Sequence, residues 1–195
     1  MVNVLKKNLK TIIVVAILVA LGISYYFYLA NRNQATPDVE IDNPELSRLL
    51  TLDVAGNYPQ TPKEVVKLYA QITQAYYKTE LTDQQIEILG TKARLLFDDE
   101  LLKTQTDSEF LSALKKDIDE YKEKGRFVGD FEIASSSLIQ YKTIREKNYA
   151  IVPMKYILRQ GKETVSAYHS FKLRKDQDGK WKIVYWEACK EVELR

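Results

Sequence analysis

Thr11 to Ala30 reads TIIVVAILVALGISYYFYLA, twenty residues without a charge. As an α-helix rising about 1.5 Å per residue, that stretch spans roughly 30 Å, the hydrocarbon thickness of a bilayer. No side of it is polar, so it does not suit the surface of a water-soluble domain. The flanks give it a direction. Lys6, Lys7 and Lys10 precede it, whereas Arg32 is the one basic residue close behind and Asp38, Glu40, Asp42 and Glu45 follow. The positive-inside bias therefore predicts a single span with a cytoplasmic N-terminus and a C-terminal region outside the cytoplasm. Tyr25, Tyr26, Phe27 and Tyr28 then fall at the outer boundary, where amphipathic rings are favoured. A cleaved signal peptide would share the basic start and the apolar run. Gly22 and Ser24 would supply its small residues, but the apolar run continues past them, which favours an uncleaved anchor. No Cys stands directly after the run, which excludes a lipoprotein.

The three lysines of the first ten residues exceed the formal charge of +2, so the rest of the chain sums to −1. A near-neutral body without a basic stripe argues against a nucleic-acid partner, whose binding rests on phosphate neutralisation. One His (His169) and one Cys (Cys189) leave too few ligands for most zinc sites and none for an internal disulfide. Asp98-Asp99-Glu100 resembles a metal cluster, but adjacent helical residues point apart, and the reading is a solvated helix end. No phosphate loop, His-Glu-x-x-His or Gly-x-Ser-x-Gly pattern occurs, and no cofactor is expected.

The 195 residues suit one domain plus an anchor. The sequence divides into a basic tail (1–10), the span (11–30), a Pro- and Asn-containing tether with a short helix near 44–50 (31–60), and a folded domain (61–195). Thr61-Pro62-Lys63-Glu64, Thr82-Asp83-Gln84-Gln85 and Thr106-Asp107-Ser108-Glu109 are three capping boxes, each opening a run of apolar residues at helical spacing. The first runs to about Lys78. The second carries Ile86, Leu89, Ala93, Leu96 and Phe97. The third ends at Gly125 after Lys122 and Lys124. Beyond Gly125 the apolar period changes from 3.6 to 2, predicting strands at 126–134, 137–145, 148–159, 163–175 and 180–190. Short turns at 146–148, 160–161 and 176–179 make them antiparallel neighbours. Helices followed by such a sheet define an α+β domain, about three helices packed on one face of a five-stranded antiparallel sheet.

The turns also predict a register. A Gln160-Gly161 loop pairs Arg159 with Lys162, setting Val152 opposite His169 and Tyr156 opposite Val165. Gly179 as the left-handed residue of a three-residue loop pairs Asp176 with Lys180. His169 then faces Glu187, Phe171 faces Tyr185 and Leu173 faces Ile183. Both hairpins put Val152, Met154, Tyr156, His169, Phe171, Leu173, Trp181, Ile183, Tyr185 and Glu187 on one face, and a slip of one residue destroys that agreement. Pro153 has no N–H for a ladder, so its strand needs a bulge or a free edge there.

Phe171-Lys172-Leu173, followed by Asp178-Gly179-Lys180-Trp181-Lys182-Ile183, resembles the last hairpin of the nuclear transport factor 2-like superfamily. The order of elements strengthens the likeness, which implies a cone-like domain with a curved sheet. Thr61 to Tyr69 and Ala93 to Leu102 further resemble an uncharacterised bacterial family that carries such a domain on one N-terminal span. The superfamily includes isomerases and dehydratases as well as non-catalytic modules such as the periplasmic domain of a type IV secretion bridge protein, so the fold leaves the function open.

Two constellations follow. Tyr156, His169, Tyr185 and Glu187 would meet in the mouth of the cone, and a His bonded to a carboxylate beside apolar walls has the geometry of a general base. The plainer reading is a satisfied core pair. On the opposite sheet face Ile151, Ile157, Tyr168, Val184, Trp186 and Ala188 alternate outward. Such a face serves a partner, with Tyr168 and Trp186 as anchors, or is covered by the chain itself. The expected function is a membrane-anchored extracytoplasmic binding or assembly module without catalysis, in a cell-envelope or secretion-type complex, with an envelope protein or a second copy as partner. The alternative is a small-ligand or isomerase/dehydratase-like domain using the cone cavity.

Overall fold

The computed structural model describes residues 43–192 and 194, within a chain that divides into compact units at 1–43 and 44–195. The apolar run 11–30 and the tether up to residue 42 lie outside the described residues. Among those described, no helix is long and apolar enough to cross a membrane.

Among the described residues five α-helices precede the sheet: α1 (Pro44–Thr51), α2 (Pro62–Lys78), α3 (Asp83–Arg94), α4 (Asp99–Leu102) and α5 (Asp107–Glu123). The three capping boxes form. The hydroxyls of Thr61, Thr82 and Thr106 accept from the N–H groups of Glu64, Gln85 and Glu109, whose side chains accept from the cap N–H groups in return. Each cap contributes about 1 kcal/mol. α1 buries Leu46 and Leu49, so residues 44–60 belong to the same compact unit as the sheet. Tyr58 fixes the following loop by donating its hydroxyl to the Trp181 carbonyl at 2.8 Å.

The sheet is antiparallel and five-stranded: β1 (Arg126–Ile133), β2 (Gln140–Ile144), β3 (Lys147–Gln160), β4 (Glu163–Lys175) and β5 (Trp181–Ala188), giving an α+β architecture. The strand order is β1-β3-β4-β5, and β2 also pairs with β3. β1 covers Met154–Gln160 of β3, and β2 covers Lys147–Ile151. Pro153 sits in the gap between them. Its carbonyl accepts from Ala134 N–H at 2.9 Å on that side, and in a strand the N–H of the same residue would point the same way. The missing donor therefore falls where β3 has no continuous partner.

Three turns set the registers. Arg145 and Glu146, with φ of 48° and 64°, form the β2–β3 turn one residue earlier than the sequence reading put it. The β3–β4 loop is Gly161-Lys162, not Gln160-Gly161. Gly161 has φ +57°, Gln160 faces Glu163, Tyr156 faces Ala167 and Val152 faces Phe171. A shift of two pairing positions preserves which face each side chain takes, so the predicted inner face survives through Ile183. The β4–β5 loop is as predicted: Gly179 has φ +77°, Asp176 N–H bonds the Lys180 carbonyl and Leu173 faces Ile183.

Beyond Ile183 the expected register fails. Lys172 faces Tyr185, Phe171 faces Trp186, Ser170 faces Glu187 and His169 faces Ala188, so a β-bulge inserts Val184. Unbroken alternation would carry Tyr185 and Glu187 inward and Trp186 outward. The bulge reverses this, turning a half-buried indole to the helix side where a carboxylate would have had to lose its water. Trp186 stacks on Phe171 at 5.7 Å between centroids and meets Tyr69 at 5.2 Å and Phe97 at 5.9 Å. Leu96 and Phe97 are not in the second long helix. α3 stops at Arg94, and the segment crosses to β5, where Ile183 N–H bonds Leu96 O and Asp98 N–H bonds Ile183 O, each at 2.8 Å.

Asp98 is not a solvated helix end. It is 4 % exposed, it caps α4 by accepting from Glu100 N–H, and it receives Nε and Nη2 of Arg174 at 3.0 and 2.5 Å. Arg174 Nη1 also donates to Glu100 at 2.8 Å. Lys182 donates to the Leu95 carbonyl at 2.6 Å and lies 4.4 Å over the Tyr58 ring.

Two stability outcomes follow. Asp98→Ala strips a buried guanidinium of its bidentate partner and is expected to cost about 3 kcal/mol, read as a lowered urea midpoint by Trp181 and Trp186 fluorescence. Arg145→Asn with Glu146→Gly places left-handed formers in the β2–β3 turn and is expected to raise stability by about 1 kcal/mol in the same assay.

Candidate functional site

The bulge redistributes the residues of β5 singled out in the sequence. On the helix-facing side the structure brings together Tyr156 and His169, edge to face at 5.5 Å, and adds Trp186. Tyr185 and Glu187 go to the outer face with Ile151 and Tyr168, and Val184 occupies the bulge. The His169–Glu187 pair is therefore not assembled. His169 Nδ1 lies 3.2 Å from the Ala167 carbonyl, which can only accept, so Nδ1 carries a proton and donates there.

α2 completes the inner side with Tyr69, Thr73 and Tyr76, spaced to share one helix face. The Thr73 hydroxyl is committed to the Tyr69 carbonyl at 2.9 Å. The hydroxyls of Tyr76 and Tyr156 are buried without a hydrogen bond of full geometry among the described residues, and Thr73 is the polar neighbour of Tyr156. Burial pushes Tyr69, Tyr76 and Tyr156 well above the ordinary phenol value of 10.0, so these groups stay neutral donors. What assembles here is an aromatic wall with phenolic donors and an imidazole, without the expected carboxylate partner.

The outer face is a different surface. Part of it is occupied by the chain's own end. Tyr168 donates to Glu191 at 3.0 Å, Cys189 N–H bonds the Tyr168 carbonyl and the Leu194 carbonyl accepts from Ser135. Glu132 and Lys155 form an ion pair at 2.8 Å. Farther along, towards β2, lies a groove of about 150 Å³ whose walls include Ile144, Tyr149, Ile151, Lys172, Tyr185 and Glu187. The Lys172 ammonium sits 5.0 Å over the Tyr149 ring and 5.4 Å over that of Tyr185. Ile144 is 48 % exposed and Tyr185 42 %. The sequence reading missed Ile144, Tyr149 and Lys172 as part of this surface. The consecutive apolar run Ile183-Val184-Tyr185-Trp186, which breaks period-2 alternation, was the signal that could have exposed the change of phase.

Among the described residues no group of three or more His, Cys, Asp or Glu side chains could hold a metal ion. The family model described as Domain of unknown function (DUF6715) matches residues 1–186, and the chain belongs to that family. A search of curated proteins found none that matches.

The buried phenols give a pH outcome. Tyr58, Tyr69, Tyr76, Tyr77 and Tyr156 have folded values raised above 10.0, so the stability they contribute is complete below that pH and declines as pH rises through it, where only the unfolded chain gains by ionising. Phenolate absorbance is expected to rise in two steps. Exposed tyrosines titrate first, and the buried set appears together with loss of tryptophan near-UV dichroism.

Proposed function

We propose that this protein is a membrane-anchored, extracytoplasmic binding or assembly module of the nuclear transport factor 2-like type, acting without catalysis in a cell-envelope or secretion-type complex. The observation that carries the binding reading is the outer-face groove, an apolar floor with half-exposed Ile144 and Tyr185 and charged walls, which no helix covers among the described residues. Aromatic and aliphatic side chains flanked by charge are the composition of protein docking surfaces. The uncharged run 11–30 and its flanking charges supply the anchor and its direction. Anchoring confines the groove to a membrane surface, which raises the effective concentration of any partner held there.

A small-ligand reading of the helix-facing side is favoured by the buried Tyr76 hydroxyl, which has no hydrogen-bond partner among the described residues, and by Tyr156 edge to face with His169. Its chemistry is limited to hydrogen bonding and stacking, because Glu187 lies on the other face.

Fractionation tests the anchor. The intact chain is expected in the membrane pellet after alkaline carbonate washing and in the supernatant after detergent, with its C-terminal region digested by protease added to spheroplasts. Recovery from the soluble fraction, or protection from protease, overturns this reading. A photo-crosslinker at position 185 is expected to capture a partner in intact cells, whereas one at position 186, inside the aromatic cluster, is expected to give only internal products.

A further inference from the structure

We infer that the occupant of the outer groove is a second copy of this chain, docked about a two-fold axis so that Lys172 of each copy meets Glu187 of the other. The inference deepens the binding reading above and rests on it. Its basis is the charge content of the patch, which sets Lys142 and Lys172 against Glu187. Lys172 and Glu187 lie on adjacent strands, one paired with Tyr185 and the other with Ser170, so both signs flank the same apolar strip. Among the described residues Glu187 has no ion-pair partner, and the Lys172 ammonium meets only the faces of Tyr149 and Tyr185. The nearby charges of the same face behave differently, since Glu132 and Lys155 satisfy each other.

A patch of one sign calls for a partner of the opposite sign. A patch that holds both signs across an apolar strip is complementary to itself after a two-fold rotation, which is what an isologous interface requires. The rotation brings Tyr185 and Ile144 of one copy against the groove floor of the other. It removes from water the two large apolar side chains of this region that the described fold leaves most exposed. The ammonium already packed on two rings loses little further mobility on pairing, which lowers the entropic cost of the contact.

The test is a charge exchange in the full-length chain, with oligomeric state measured in detergent and by crosslinking in membranes. The wild type is expected to be a dimer. Lys172→Glu and Glu187→Lys each place like charges across both halves of the interface, and each is expected to weaken the dimer by about tenfold or more. An equimolar mixture of the two variants restores opposite charges at both contacts and is expected to recover the dimer, as is the chain carrying both substitutions. A monomeric wild type, a dimer that persists in both single variants, or a mixture and double variant that both stay monomeric overturns the proposal. Capture of a different, identified envelope protein from position 185 alongside a monomeric wild type would overturn self-association while leaving the binding reading intact.

Discussion

The phase of β5 governs both faces of the sheet. Trp186 and Glu187 are neighbours, and only one of them can point at the helices. Burying an unpaired carboxylate against Tyr69, Phe97 and Phe171 would cost several kcal/mol of desolvation, whereas an indole there adds apolar burial and ring contacts. One extra residue resolves the conflict, and Val184 is that residue. The same choice sends Tyr185 and Glu187 outward and so creates the groove beside Lys172. The inner aromatic cluster and the outer groove are two results of a single local event.

The Leu96–Asp98 segment holds that arrangement in place. It bonds both backbone groups of Ile183, the last residue before the bulge, and delivers Phe97 to the cluster around Trp186. Asp98 then turns back to the Arg174 guanidinium on β4. A buried pair of this kind contributes little net stability by burial alone, but it fixes where a segment sits. Here it holds the connection between α3 and α4 against the strand whose phase matters most.

Much of the fold was legible because its signals are local. Capping boxes at Thr61, Thr82 and Thr106 mark helix starts through the chemistry of four adjacent residues, and Gly179 marks its turn through a backbone angle. The faces of β3 and β4 were readable despite a wrong loop, since the error was two pairing positions and the side-chain period is also two. What failed was non-local. The end of α3 depends on Leu96 finding Ile183, and Asp98 is buried because Arg174 lies many residues away in sequence. The bulge depends on which of Trp186 and Glu187 the helices accept. Two expected constellations exchanged members for that reason, while Tyr156 and His169 stayed together because they precede the bulge.

The short parallel pairing of Phe97 with Ile183 also bears on how such sheets meet one another. An open edge strand invites another chain to extend the ladder, which is a hazard for any protein that meets copies of itself. By occupying the Ile183 backbone groups, a few residues between two helices make the start of β5 a poor template for edge-to-edge growth, so contact between neighbours is steered from backbones towards side chains.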